Sequence, residues 1–251
     1  MATLTAAFTE PLALPLSGSA AHSIEPWALW HARCMVLAWG VLLPLGALVA
    51  RFFKVMPGQD WPRVLDHKAW WHAHRGLQYA GVLLMALGLW LVWGRAASAG
   101  ALARWHAGVG WAVCGLGALQ VLGAWARGSK GGPTDTHLRG DHYDRTPWRL
   151  LFERLHKSLG WLAVVLALGV IALGLVLSDA PRWMALTLVL WWLLLAGAFV
   201  RLQRAGRCID TYQAIWGPGL QHPGNQLRPT GWGIRRPLDP APQVPPWRTH
   251  P

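Results

Sequence analysis

Residues 148–178 read WRLLFERLHKSLGWLAVVLALGVIALGLVLS, and from Ser158 to Ser178 the run carries no charge. At a rise of ~1.5 Å per residue, a helix of that length matches the hydrocarbon thickness of a bilayer. Four more blocks of similar length and apolar character occur, Trp27 to Phe53, Trp70 to Trp93, Leu102 to Ala126 and Trp183 to Val200. Where no water is available, a helix satisfies its own backbone hydrogen bonds, so the pattern predicts an all-α, integral membrane five-helix bundle. Composition agrees: 14% of the 251 residues are charged and 53% apolar, whereas a soluble domain has about 25% charged residues. Residues 1–26 are expected to be a short N-terminal tail, 27–207 the transmembrane domain, and 208–251 an extended Pro/Gly-rich cytoplasmic tail.

Charge sets the orientation. Lys and Arg number 23 against 11 Asp and Glu, a formal excess of +12. The excess lies between spans rather than over one face of a folded domain, which argues against a nucleic-acid partner. The first link carries Arg51, Lys54, Arg63 and Lys68; the third carries Arg127, Lys130, Arg139, Arg145 and Arg149; the C-terminal segment adds Arg201, Arg204, Arg207, Arg228, Arg235, Arg236 and Arg248. The alternate links and the N-terminal tail are nearly devoid of basic residues. Positive charge stays on the cytoplasmic side, so the N-terminus is expected outside and the C-terminus in the cytoplasm. Residues 1–26 hold no Lys or Arg, so they lack the basic start of a cleavable signal peptide and read as a retained tail. Tryptophans such as Trp27, Trp70, Trp93, Trp105, Trp125, Trp148 and Trp183 fall near span ends, as an interfacial belt requires. Trp191 and Trp192, in mid-span, do not fit that pattern. The three cysteines form no CxxC or CxxCH motif, so nothing points to covalently attached haem.

Four spans carry histidine near their N-terminal ends: His31, His72 and His74, His106, and His156. Because successive helices run in opposite directions, His31 and His106 come to the outer side and His74 and His156 to the cytoplasmic side. One histidine from each of two parallel helices, at equal depth, is what axial ligation of a flat haem demands. The pattern occurs twice, which implies two non-covalent b-type haems, each bis-His ligated, with irons on the order of 20 Å apart along the membrane normal. With both axial positions filled, one-electron relay is favoured over oxygen chemistry. His72 and His74, two residues apart, point to different helical faces, and only one of them faces the partner. His22, His67, His137, His142, His222 and His250 lie in links or tails and are expected to be solvated. Gly76, Gly81, Gly108, Gly110 and Gly160 serve either a porphyrin's approach or close helix packing. Lys130, Arg139, Arg145, Arg154 and Lys157 suit haem propionates or an anionic reductant, although topology alone also puts them on that side.

Four segments carry a family likeness: HARCMVLAWGVLLPLGALVARFF (31–53), WWHAHRGLQ (70–78), HAGVGWAVCGLGALQ (106–120) and HKSLG (156–160). They resemble the core of the eukaryotic-type cytochrome b561 family, especially the form that follows a DOMON domain in ferric-reductase-like proteins. The resemblance implies that 27–207 is a cytochrome b561 transmembrane domain, that His31 pairs with His106 and that His74, not His72, pairs with His156. It also implies ascorbate as donor and ferric chelate as acceptor. No DOMON domain precedes the core in this sequence, and GSKGGPTDTHLRGDHYDRTPW (128–148) is longer than the usual link. A stand-alone form in a bacterial cytoplasmic membrane is therefore expected.

The expected function is that of a transmembrane electron-transfer oxidoreductase. It would move single electrons from a cytoplasmic or quinol donor to an external acceptor, a ferric chelate or a periplasmic redox protein, with membrane lipid and a second copy of the chain as further partners. Two rivals stand beside it: a quinol-linked cytochrome subunit of a membrane redox complex, and a haem-free membrane scaffold whose histidines sense pH.

Overall fold

The computed structural model of the protein describes residues 10–18, 24–95, 100–133 and 135–237. His22 and His250, and the far ends of both tails, lie outside these residues. Helix α1 spans Pro26–Phe52, α2 Ala69–Val92, α3 Ala101–Trp125, the short α4 Asp141–Asp144, α5 Pro147–Leu177 and α6 Arg182–Arg204. Two short helices follow, α7 over Thr211–Trp216 and α8 over Pro223–Gln226. Among the described residues there is no strand. The fold is all-α, and α1, α2, α3, α5 and α6 are each long and apolar enough to cross a membrane.

Local chemistry sets the ends of these helices. Pro26 and Pro147 occupy first-turn positions, where proline's missing N–H loses no bond. The Thr146 hydroxyl accepts from the Arg149 N–H at 3.3 Å, capping α5. Helix α6 runs past the expected Val200 to Arg204, and Arg201 and Arg204 in its last turn suit the negative end of the helix dipole.

The chain folds as two compact units. In the first (Met1–Gly46, Arg75–Leu119, Leu159–Phe199), Ala38, Trp39 and Leu43 of α1 meet Met85 of α2, Val113 and Cys114 of α3, and Ala163, Ala167 and Ile171 of α5. Leu188 and Trp192 of α6 pack against that core. Lipid is as apolar as leucine, so helices in a bilayer associate through close packing at small residues. A Cβ on Gly81 would lie 2.8 Å from Leu43 Cδ2, and one on Gly117 would lie 3.0 Å from the Trp39 ring. Gly81 therefore serves helix packing, whereas a Cβ on Gly76 or Gly108 would meet nothing within 4 Å.

Within α1, Val36–Leu42 is a π-helical stretch, and the Leu43 N–H bonds the Ala38 carbonyl five residues back. Gly40 lies in that stretch, and its carbonyl accepts from the indole N–H of Trp191 at 2.9 Å and of Trp192 at 3.3 Å. The two mid-span indoles thus have polar partners inside the unit, which span-end counting could not foresee.

The second unit (Ala47–His74, Gln120–Ser158, Val200–Pro251) has an ionic and aromatic interior. Lys130 pairs with Asp66, Asp210 with Arg236, and Arg149 with Glu153. Cys208, Tyr212, Gln213, Ala214 and Ile215 are buried. Asp210 caps α7 by accepting from the Tyr212 N–H at 3.2 Å, and the first link holds α7 through Trp61 Nε1–H to the Gln213 carbonyl and Asp66 N–H to the Ala214 carbonyl. The segment 208–237, expected to be extended, is instead packed through these bonds.

Candidate functional site

His31 comes from α1 and His106 from α3. The His31 Nδ1 is 2.9 Å from the Gly88 carbonyl oxygen of α2, and the His106 Nδ1 is 3.1 Å from the Val170 carbonyl oxygen of α5. A carbonyl oxygen only accepts, so Nδ1 carries the hydrogen in both rings, and in the neutral imidazole Nε2 keeps its lone pair free for a metal. Small residues make the two approaches possible. A Cβ on Gly88 would meet Met35 Cε at 3.1 Å and Cys34 Cβ at 3.3 Å, and one on Gly174 would lie 3.1 Å from His106 Cε1.

The two ring centroids are 6.3 Å apart, with planes at 75°. Two metal–nitrogen bonds of about 2.0 Å, plus roughly 1.2 Å from each nitrogen to its ring centre, add to about 6.4 Å. The spacing therefore suits one metal held between two imidazoles. Among the described residues no group of three or more His, Cys, Asp or Glu side chains gathers as a metal-ion cage.

His74 on α2 and His156 on α5 belong to the second unit. His156 is within Coulombic reach of His74. Aromatic rings hold these two: Phe152 stacks on His156 at 5.1 Å, and Trp71 lies 6.1 Å from His74, with the Arg127 guanidinium 4.4 Å over the Trp71 ring. The His156 Nδ1 is buried without a hydrogen-bond partner, a polar atom that a bound group or water would satisfy. His72 is exposed whereas His74 is half-buried, so the two differ in face as expected.

Two histidines expected in solvent are not there. His142 is 4% exposed, with Tyr212 and Trp216 rings at 4.8 and 4.9 Å. His222 stacks on Trp216 at 5.0 Å and meets Tyr143 at 4.4 Å. Burial draws the His222 pKa down to about 4; burial and then nearby cations draw that of His142 well below the usual range. His67 and His137 are exposed, in agreement with the sequence. A run of aromatic residues in two Gly-rich stretches (HY at 142–143, TYQAIW at 211–216) was the signal available for this cluster.

The cations proposed for an anion are largely engaged within the protein. Lys130 pairs with Asp66 and Arg139 with Asp144. Arg145 lies over the Tyr212 ring and donates to Thr230 Oγ1 at 3.0 Å, and Lys157 donates to the Thr230 carbonyl at 2.6 Å. Arg154 is exposed. Lys54, buried near Lys157 and Arg51, donates to the Ile209 carbonyl at 3.2 Å, and burial lowers its pKa to about 8.

No family model and no solved structure matches the chain. It is 31% identical over 157 residues to an Arabidopsis thaliana protein named cytochrome b561, DM13 and DOMON domain-containing protein, covering 62% of this chain and 15% of that one. It is 29% identical over 169 residues to putative ferric-chelate reductase 1 of Xenopus laevis (64% and 26%), and 28% identical over 151 residues to ferric-chelate reductase 1 of Homo sapiens (60% and 22%). The matched part thus spans no more than about a quarter of each relative. Over about three fifths of its length, this chain is similar to proteins named for cytochrome b561 and for ferric-chelate reduction.

Proposed function

We propose that the chain is a dihaem b-type cytochrome that carries single electrons across the membrane, with His31 and His106 as axial ligands at one site and His74 and His156 at the other. The observation that carries this reading is the first pair: two imidazoles with ring centroids 6.3 Å apart, each with its Nδ1–H committed to a backbone carbonyl. When bound between two imidazoles, each haem supplies one-electron chemistry and leaves no open position for oxygen. The Gly88 and Val170 carbonyls orient the two rings and make them stronger donors through Nε2. Phe152 and Trp71 do the orienting at the second site by packing.

The likeness to ferric-chelate reductases supports an external ferric chelate as acceptor. A cytoplasmic or quinol donor, an outside N-terminus and a bacterial cytoplasmic membrane complete the reading. The test is the reduced-minus-oxidised visible spectrum and haem-to-protein ratio of protein purified from haem-replete cells, followed by ferric-chelate reduction across vesicles loaded with a reductant. Two haems per chain and reduction of the external chelate are expected. A colourless preparation would return the chain to a haem-free scaffold, and saturable reduction of a quinone analogue alone would make it a quinol-linked subunit.

A further inference from the structure

We propose that His142, set against Glu153, is a proton-binding site whose occupancy follows the redox state of the His74–His156 site. The inference rests on the haem reading above. The His142 Nε2 is buried without a hydrogen-bond partner and lies 3.5 Å from Glu153 Oε1. Glu153, also buried, takes the Arg149 Nε–H at 3.1 Å and the Tyr212 hydroxyl at 3.4 Å, and lies 3.6 Å from Lys157 Nζ. In the imidazolium form the Nε2–H would therefore sit between the ring and a carboxylate that already anchors the cluster.

The charges facing His142 come from several elements. Arg149, Glu153 and Lys157 lie on α5, Arg127 and Lys130 on the preceding link, and the titratable Tyr212 on α7; on its own short helix Asp141 is bonded to Ser129 and Thr146 and Asp144 to Arg139. Burial, and then Arg149, Arg127, Lys130 and Lys157, draw the His142 pKa well below the usual histidine range. Arg127, Arg149 and Lys157 are also the cations that act on His156, and Glu153 precedes His156 by three residues on α5, a neighbouring position on one helical face. A change of one charge beside His156 is thus felt by His142 through the same charged cluster, in which Arg149 and Glu153 are buried.

The balance is one electron and one proton. With a haem held by His74 and His156, an external reductant would supply one electron to it, and a proton from solvent would form an N–H bond at the free ring nitrogen of His142, converting imidazole to imidazolium. Reduction removes one positive charge from the cluster and protonation restores it. Protonation therefore favours the reduced state, and the midpoint potential falls as pH rises.

The experiment is a spectroelectrochemical titration of the full-length holoprotein between about pH 5 and 8. One of the two haem waves is expected to move by up to about 59 mV per tenfold change in proton activity. His142→Gln should flatten that wave while the haem-to-protein ratio stays at two. A ratio below two in the wild-type protein would refute the haem reading itself. A ratio of two with both waves independent of pH would overturn this inference alone, and so would a slope that survives in His142→Gln. If the variant fails to fold, redox-difference infrared spectra of wild-type protein carrying isotope-labelled histidine decide: an imidazolium band on reduction supports the proposal, and its absence refutes it.

Discussion

Around His31 and His106 the protein is almost wholly apolar, and the two rings are pinned by the backbone carbonyls of Gly88 and Val170. Around His74 and His156 it is aromatic and ionic, with Phe152 and Trp71 against the rings and, on α5, a buried Glu153–Arg149 pair with the half-exposed Lys157 beside it. A helix carbonyl does not titrate and does not depend on the side chain of the residue that bears it, so the partners that orient the first two rings are the same across pH. The second depends on ionisable groups and responds to protons. One fold thus holds two histidine pairs by unlike means, and perturbations should tell them apart.

The largest effect is expected from the proposed ligands themselves. His106→Ala or His156→Ala should each remove about half of the bound haem and stop transmembrane reduction, because a single imidazole leaves the iron with one protein bond instead of two. The absorbance that remains should differ between the two variants, since the surviving sites differ in surroundings. A variant that keeps both haems shows that its histidine is no ligand.

Next comes the space beside the ring. Gly174→Val would place a Cβ about 3.1 Å from His106 Cε1, closer than ordinary contact, with the valine methyls beyond it. Haem occupancy of the first site should fall toward half or less while the second keeps its own. Gly169→Val is the control, since a Cβ there meets nothing within 4 Å. Equal haem loss in both variants would mean that bulk on α5, rather than the His106 slot, is at fault.

Acid should separate the two regions more gently. His222 has a folded pKa near 4 and His142 one well below the usual value, against about 6.5 for an unfolded histidine. Between these values the unfolded chain binds more protons than the folded one, so stability falls as pH drops from about 6.5 toward 4. Limited proteolysis should show residues 208–237 becoming cleavable over that window while the first site's spectrum holds. Simultaneous loss of both, or no change in cleavage, would break the contrast.

These contrasts also mark what the sequence makes legible. Spans show themselves as long uncharged runs because lipid excludes charge, and the alternating direction of successive helices is enough to put His31 with His106, and His72 or His74 with His156, at matching depth, while the choice of His74 comes from the family likeness. The burial of His142 and His222 has no such periodic signature. It depends on partners distant in sequence, Tyr212 and Trp216 against His142 and Tyr143 against His222, drawn from segments whose glycines and prolines read as loop. Asp210 ahead of the apolar TYQAIW is a helix-cap signal, and it marks the point where the presumed tail turns back into the fold. The mid-span pair Trp191 and Trp192 was illegible for another reason: its acceptor, the Gly40 carbonyl, lies in a π-helical stretch that side-chain pattern does not announce.

That pair gives the smallest effect and a pointed test of the first region. Hydrogen bonds between helices in a bilayer average about 0.6 kcal/mol and reach roughly 1.7 kcal/mol. Trp191→Phe loses the bond of 2.9 Å and Trp192→Phe the one of 3.3 Å, so the first substitution should cost more, though no more than about 1 kcal/mol. Both lower the temperature at which the first site loses its native absorbance in detergent. Trp90→Phe supplies the reference, because Trp90 is 71% exposed and its substitution loses no such bond among those described. If all three melt alike, the indole bonds add nothing to α1, and the core of Trp39, Leu43, Met85 and Val113 holds the π-helical stretch in place by packing alone.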